Sequence, residues 1–88
     1  MKSIFTGEYE SFLESLISAR KAAGITQQNL ALRLRKPQSF VSKYERRERR
    51  LDVVEFVTIC RVIGVDPCRI IREIERRLGS HGKRGGGN

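Results

Sequence analysis

Eighty-eight residues, 39% of them hydrophobic, make one domain with enough apolar side chain for a compact core, which argues against wholesale disorder. Eighteen basic residues against ten acidic leave a formal charge of +8; eight of the basic residues and only two acidic ones fall between Arg33 and Arg50, a local +6 that suits a polyanion binder. No apolar run approaches the length of a membrane span, and the opening MKSIFTGEYE lacks the basic start and apolar stretch of a secretory leader, so the expected location is cytoplasmic.

Helix signals dominate from the start. Residues 1–6 read as an N-terminal arm, with Thr6 as N-cap of a first helix over Gly7–Ala23. Glu8 and Glu10 suit its positive first turn, and Phe12, Leu13, Leu16, Ile17 and Arg20 recur at helical spacing up to a stop at Gly24. Thr26 caps a short second helix, Gln27–Leu34, with Leu30, Ala31 and Leu34 on one face. Pro37 suits the first position of a third helix running to about Arg46, which buries Val41, Tyr44 and part of Phe40. Only Arg35 and Lys36 remain for the turn between them, so the two short helices must cross steeply.

Asp52, with Glu55 three residues on, forms a capping-box pattern that opens a fourth helix, ending at Ile63 before Gly64. Its apolar residues (Val53, Val54, Phe56, Val57, Ile59, Cys60, Val62, Ile63) cover more than one face, so this helix is expected to be central and heavily buried. Asp66 caps a fifth helix with Pro67 in its first position, running to about Leu78. The predicted fold is all-α, a five-helix domain over residues 7–78, and the glycine-rich residues 79–88 are expected to be a disordered tail.

Cys60 and Cys68 sit in apolar helical patterns and are expected to be reduced, buried thiols. The one histidine, His81, falls in the tail, so neither a metal site nor a cofactor is expected. Nothing resembling a catalytic constellation or a phosphate loop is present, and an enzyme is not the expected reading.

The segment TQQNLALRLRKPQSFVSKYE, Thr26 to Glu45, resembles the helix-turn-helix of the lambda repressor-like (XRE, Cro-type) family, and the likeness extends from Leu13 to Pro67. Arg20 late in the first helix, Gln27 after Thr26, Leu30 and Ala31, then Val41, Tyr44 and Glu45 ten and more residues later, and Gly64-Val65-Asp66 carry the resemblance. Ala31 falls where the two helices cross most closely and a larger side chain would push them apart. The resemblance implies a structural ion pair between Arg20 and Glu45. It also places Gln38, Ser39, Ser42 and Lys43, on the outer face of the third helix, at base-reading positions in a major groove. Phosphate contacts are expected from Gln27 and Gln28 at the start of the second helix, from Arg33 and Lys36, and from Arg46, Arg47, Arg49 and Arg50. Two positions depart from the family pattern. Arg35 and Arg47 stand where glycine is usual; if the backbone there has positive φ each costs very roughly 1 kcal/mol, and the third helix is allowed to extend.

The expected activity is sequence-specific binding of double-stranded DNA by a transcriptional regulator, a repressor acting as a homodimer on a palindromic operator. Ile71, Ile74 and Leu78 repeat at three and four residues along the fifth helix and are the expected dimer interface. The same stripe motivates the alternative, an antitoxin-like module that holds a partner protein and binds DNA secondarily. Non-specific coating of DNA, or RNA binding, would also suit the charge, but no tryptophan is present, and Phe40 and Tyr44 are wanted for packing rather than as stacking platforms.

Overall fold

The computed structural model describes the backbone of residues 7–82 and the side chains of residues 7–79. It holds five helices, α1 (Gly7–Ala22), α2 (Gln27–Leu34), α3 (Gln38–Glu45), α4 (Val53–Ile63) and α5 (Pro67–Gly82), and no strand among the described residues. Helix α1 presents Tyr9, Leu13, Leu16 and Arg20 inward, a stripe spaced four, three and four. Thr6, the expected cap, lies outside the described residues.

One device ends the first three helices and sets the short connections. After α1, Gly24 takes φ +73° while Gly24 N–H bonds Lys21 O and Ile25 N–H bonds Arg20 O. Arg35 does the same after α2 at φ 60°, with Lys36 N–H bonding Ala31 O, and Arg47 after α3 at φ 68°, with Glu48 N–H bonding Lys43 O. Helix α3 therefore stops at Glu45 and does not run on. The left-handed residue turns the chain back onto the last carbonyls. Proline 37 is the N-cap of α3 rather than its first residue, in extended conformation at ψ 154°. Thr26 caps α2 by accepting the Asn29 N–H at 3.0 Å.

The Asp52 capping box forms in both directions, Glu55 N–H to Asp52 Oδ1 at 2.7 Å and Asp52 N–H to Glu55 Oε1 at 2.9 Å. Helix α4 buries Phe56, Ile59, Cys60 and Ile63, but not its whole circumference. Val53 and Val54, in its first turn, are 73% and 74% exposed. Burial pushes the Cys60 thiol up to about 11. Cys68 is exposed, contrary to expectation, because it lies off the face of α5 that turns Ile70 inward. Helix α5 continues to Gly82, past the limit expected at Leu78. Its ladder needs only backbone groups, and a glycine there costs about 1 kcal/mol rather than forbidding the helix. Residues 83–88 of the expected tail lie outside the described residues.

The core is one cluster: Leu13 and Leu16 of α1, Leu30 of α2, Val41 and Tyr44 of α3, and Ile59 and Cys60 of α4 are fully buried. α2 packs on both α3 and α4, and α5 covers α1 and α4. The α2–α3 pair is thereby held at one end of the molecule.

Candidate nucleic-acid interface

Helix α3 divides cleanly by side. Val41, Tyr44 and Glu45 are buried, while Gln38, Ser39 and Lys43 are exposed and Ser42 is half-buried, its hydroxyl donating to Ser39 O at 3.4 Å. Ala31 is buried in α2, which packs against α3.

A buried polar knot fixes the helix to α1. Arg20 Nε donates to Glu45 Oε2 at 2.7 Å and Arg20 Nη2 to Glu45 Oε1 at 3.0 Å, a two-pronged pair across 25 residues. Arg20 Nη1 also donates to Ile25 O at 2.8 Å, so the guanidinium holds the α1–α2 turn as well. Gln27 Nε2 donates to Glu45 Oε1 at 2.8 Å. That bond turns the Gln27 side chain inward, whereas the phosphate contact expected of Gln27 is through its backbone N–H. What Gln27 still offers an anion is its backbone N–H, one of the unpaired donors at the start of α2, beside the exposed Gln28. Above Glu45, the Tyr44 hydroxyl is buried with no hydrogen-bond partner, and burial together with the Glu45 carboxylate raises its pKa.

Two basic flanks border the outer face of α3, and they differ. On the side of the α2–α3 turn, Arg33, Arg35 and Lys36 are exposed and form no ion pair with a described residue. On the side of the α3–α4 loop, every arginine is engaged. Arg46 Nε bonds Glu48 Oε2 at 2.9 Å, and Arg47 Nε bonds Glu10 Oε1 of α1 at 2.8 Å. Arg49 grips Glu55 through Nη1 and Nη2 at 2.9 and 2.6 Å, and Arg50 lies 4.2 Å over the Tyr9 ring. These hydrogen bonds from Arg46 and Arg49 hold the Glu48 and Glu55 carboxyls below their ordinary value.

Phe40 joins the flanks, with Lys36 Nζ 5.1 Å and Arg49 4.8 Å from its ring centre, and edge-on against Tyr44. Sequence reasoning missed this ring and the carboxylates that hold the loop arginines. Glu55 could have been read from its place in the cap, but nothing local ties Glu10 to an arginine 37 residues away.

Residues 16–70 match the helix-turn-helix family model. An XRE-family like protein from Pseudomonas syringae pv. tomato str. DC3000 has a solved structure that is 54% identical to this chain, with a TM-score of 0.77 over 80% of this chain and 85% of that one. The chain belongs to the XRE helix-turn-helix family. No curated protein matches it. The XRE family is one of DNA-binding transcription regulators, and the five-helix domain is its lambda repressor-like fold. In this XRE domain α3 is the second helix of the motif, and the chemistry open to it is hydrogen bonding through amide, hydroxyl and ammonium groups, with cations on either side. Among the described residues no three of His, Cys, Asp and Glu gather where they would hold a metal, and no helix is long and apolar enough to cross a membrane.

Proposed function

We propose that this XRE-family chain is a sequence-specific repressor that binds a palindromic operator in double-stranded DNA as a cytoplasmic homodimer. One observation carries the reading: a helix with a polar outer face is locked by a buried two-pronged ion pair between unpaired cations on one side and arginines on the other. A locked helix can present Gln38, Ser39, Ser42 and Lys43 to base edges in fixed register, Gln to adenine and Lys to guanine acceptors. Backbone N–H groups of Gln27 and Gln28, with Arg33, Lys36, Arg46, Arg47, Arg49 and Arg50, then hold phosphates and fix the docking without reading sequence. One such helix reads too few base pairs to be selective, which is the argument for two copies with their α3 helices about 10–10.5 base pairs apart.

Selection of bound duplexes from a random pool tests this directly. A recovered palindrome, with Gln38→Ala or Ser42→Ala relaxing one or two of its positions by about 1–3 kcal/mol and leaving random-DNA binding unchanged, is the expected result. Equal binding to every duplex overturns it. Ile71 and Leu78, exposed on α5, also suit a second reading, an antitoxin-like module gripping a different protein. Such a chain would recover a non-palindromic site, or none, until that protein is added.

A further inference from the structure

One aromatic ring is shared by the two basic flanks. Phe40 is the third residue of α3, in the turn that leads into a groove. Lys36, from the turn before the helix, holds its Nζ 5.1 Å from the ring centre. Arg49, from the loop after the helix, places its guanidinium 4.8 Å from the same centre. Both distances lie within the roughly 6 Å at which a ring face attracts a cation. Cations from opposite ends of α3 thus converge on its first turn.

The seating of α3 rests mainly on other residues. Val41 and Tyr44 are 0% exposed and Glu45 is tied to Arg20, whereas Phe40 is half-buried and lies edge-on to Tyr44. The two cations differ in what else detains them. Lys36 has no ion pair with a described residue, and its flexible four-carbon stem leaves the ammonium free to wander unless the ring holds it. Arg49 is also gripped by Glu55 through Nη1 and Nη2, and its Nη1 bonds Arg50 O. Its Nε and the second Nη2 hydrogen bond no described residue, so donors remain for a phosphate.

We infer that Phe40 is a positioning residue for the DNA backbone: its ring holds Lys36 and Arg49 together, so that phosphates beside the leading turn of α3 meet two cations already in place. The inference rests on the DNA-binding reading above, and it gives the ring a task in docking and none in base choice. Without the ring both side chains must be ordered during binding, and that cost falls equally on every duplex.

Fluorescence anisotropy of the full chain tests this on the duplex recovered by random-pool selection and on a random duplex. Phe40→Leu keeps an apolar side chain but no ring, and Phe40→Tyr keeps the ring. Phe40→Leu should bind both duplexes at least about fivefold more weakly, with their ratio unchanged, and Phe40→Tyr should restore both. In a background of Lys36→Gln with Arg49→Gln, Phe40→Leu should change random-duplex affinity by less than about twofold, because the ring then has nothing to hold. A loss confined to the selected duplex makes Phe40 part of the reading face, and an undiminished loss in the cation-free background makes it a packing residue. Either result overturns the inference, as does a Phe40→Leu that binds like the wild type or a Phe40→Tyr that does not recover. A wild type that binds no duplex overturns the DNA-binding reading itself. One that binds every duplex equally overturns only the sequence specificity, since the cycle is read on random DNA. Circular dichroism checks folding. Nuclear Overhauser contacts from the Phe40 ring to the Lys36 and Arg49 methylenes are expected in the wild type, and their absence overturns the inference even if Phe40→Leu misfolds.

Discussion

Removing both Arg20 and Glu45 should cost far less than the sum of removing each alone. The two residues are only 7% and 8% exposed, and they share two hydrogen bonds of 2.7 and 3.0 Å. Glu45→Ala strips the guanidinium of both, leaving Arg20 only the Ile25 carbonyl; Arg20→Ala leaves the carboxylate buried with only the Gln27 amide and also orphans Ile25 O. Breaking a buried pair from one side costs about 3–5 kcal/mol, because the survivor is an uncompensated charge, and Arg20→Ala should lie at the upper end. With both gone no charge is stranded, so the double variant should lose about 4–5 kcal/mol in place of the roughly 7–9 that additivity would give, a coupling of about 3 kcal/mol. Against a total stability of about 5–15 kcal/mol for a domain, each single variant gives up a large share of the fold. Urea unfolding followed by circular dichroism at neutral pH measures all four corners of the cycle. Coupling below about 0.5 kcal/mol would mean that the pair does not act as a unit, and that the fixed seating of α3 has some other cause.

Three further outcomes follow from the same geometry. Tyr44→Phe deletes a buried hydroxyl that bonds nothing, so the variant should match the wild type or gain about 1 kcal/mol in the same urea assay; a loss above about 1 kcal/mol would reveal a bond that the hydroxyl does make. Arg49 depresses the Glu55 carboxyl in the folded chain, so its contribution is present above the ordinary value of 4.5 and fades as pH falls through the folded one; the stability gap between wild type and Glu55→Gln should therefore narrow below about pH 4.5, and a gap constant from pH 7 to 3 contradicts the pairing. Replacing Glu10 and Glu48 by Gln releases Arg47 and Arg46 for phosphate, so DNA binding should tighten at low salt and its log–log salt slope should steepen by up to about 0.9 per released arginine; an unchanged slope would show that these arginines do not meet DNA.

Much of the fold was legible because the chain marks its own boundaries. Thr26, Gly24, Gly64 and the Asp52–Glu55 box are local signals whose chemistry acts within a few residues, and each does so where the sequence places it. The connection between α2 and α3 is short, as expected, although Pro37 adds a third residue to it as the N-cap of α3. What was not legible depends on neighbours. The pattern of α4 says that several faces are apolar, but only the packing says that Val53 and Val54 find nothing to cover them. Cys68 is exposed for the same reason, since the α5 stripe gives a period and not the direction of the core. At the candidate interface, the polar face of α3 could be read from its core residues by elimination. The engagement of the loop arginines could not, because Glu10 and Arg47 meet only through the folded chain.

The two arginines at usual glycine positions bring the energetic and functional arguments together. Arg35 stands just before α3 and Arg47 just after it, both left-handed at φ 60° and 68°, where a side chain costs roughly 1 kcal/mol relative to glycine. Glycine would serve both turns, because the capping bonds come from backbone N–H groups. Local stability therefore does not explain the choice of residue. Arg47 recovers part of the cost through Glu10, although an exposed pair contributes at most about 1 kcal/mol. Arg35 has no ion pair with a described residue to recover anything. Strain that the fold does not need, carried by a cation at each end of a helix with an open polar face, argues for a polyanion lying along that helix. The strain thus argues for the same occupant as the charge pattern, and adds backbone geometry to it.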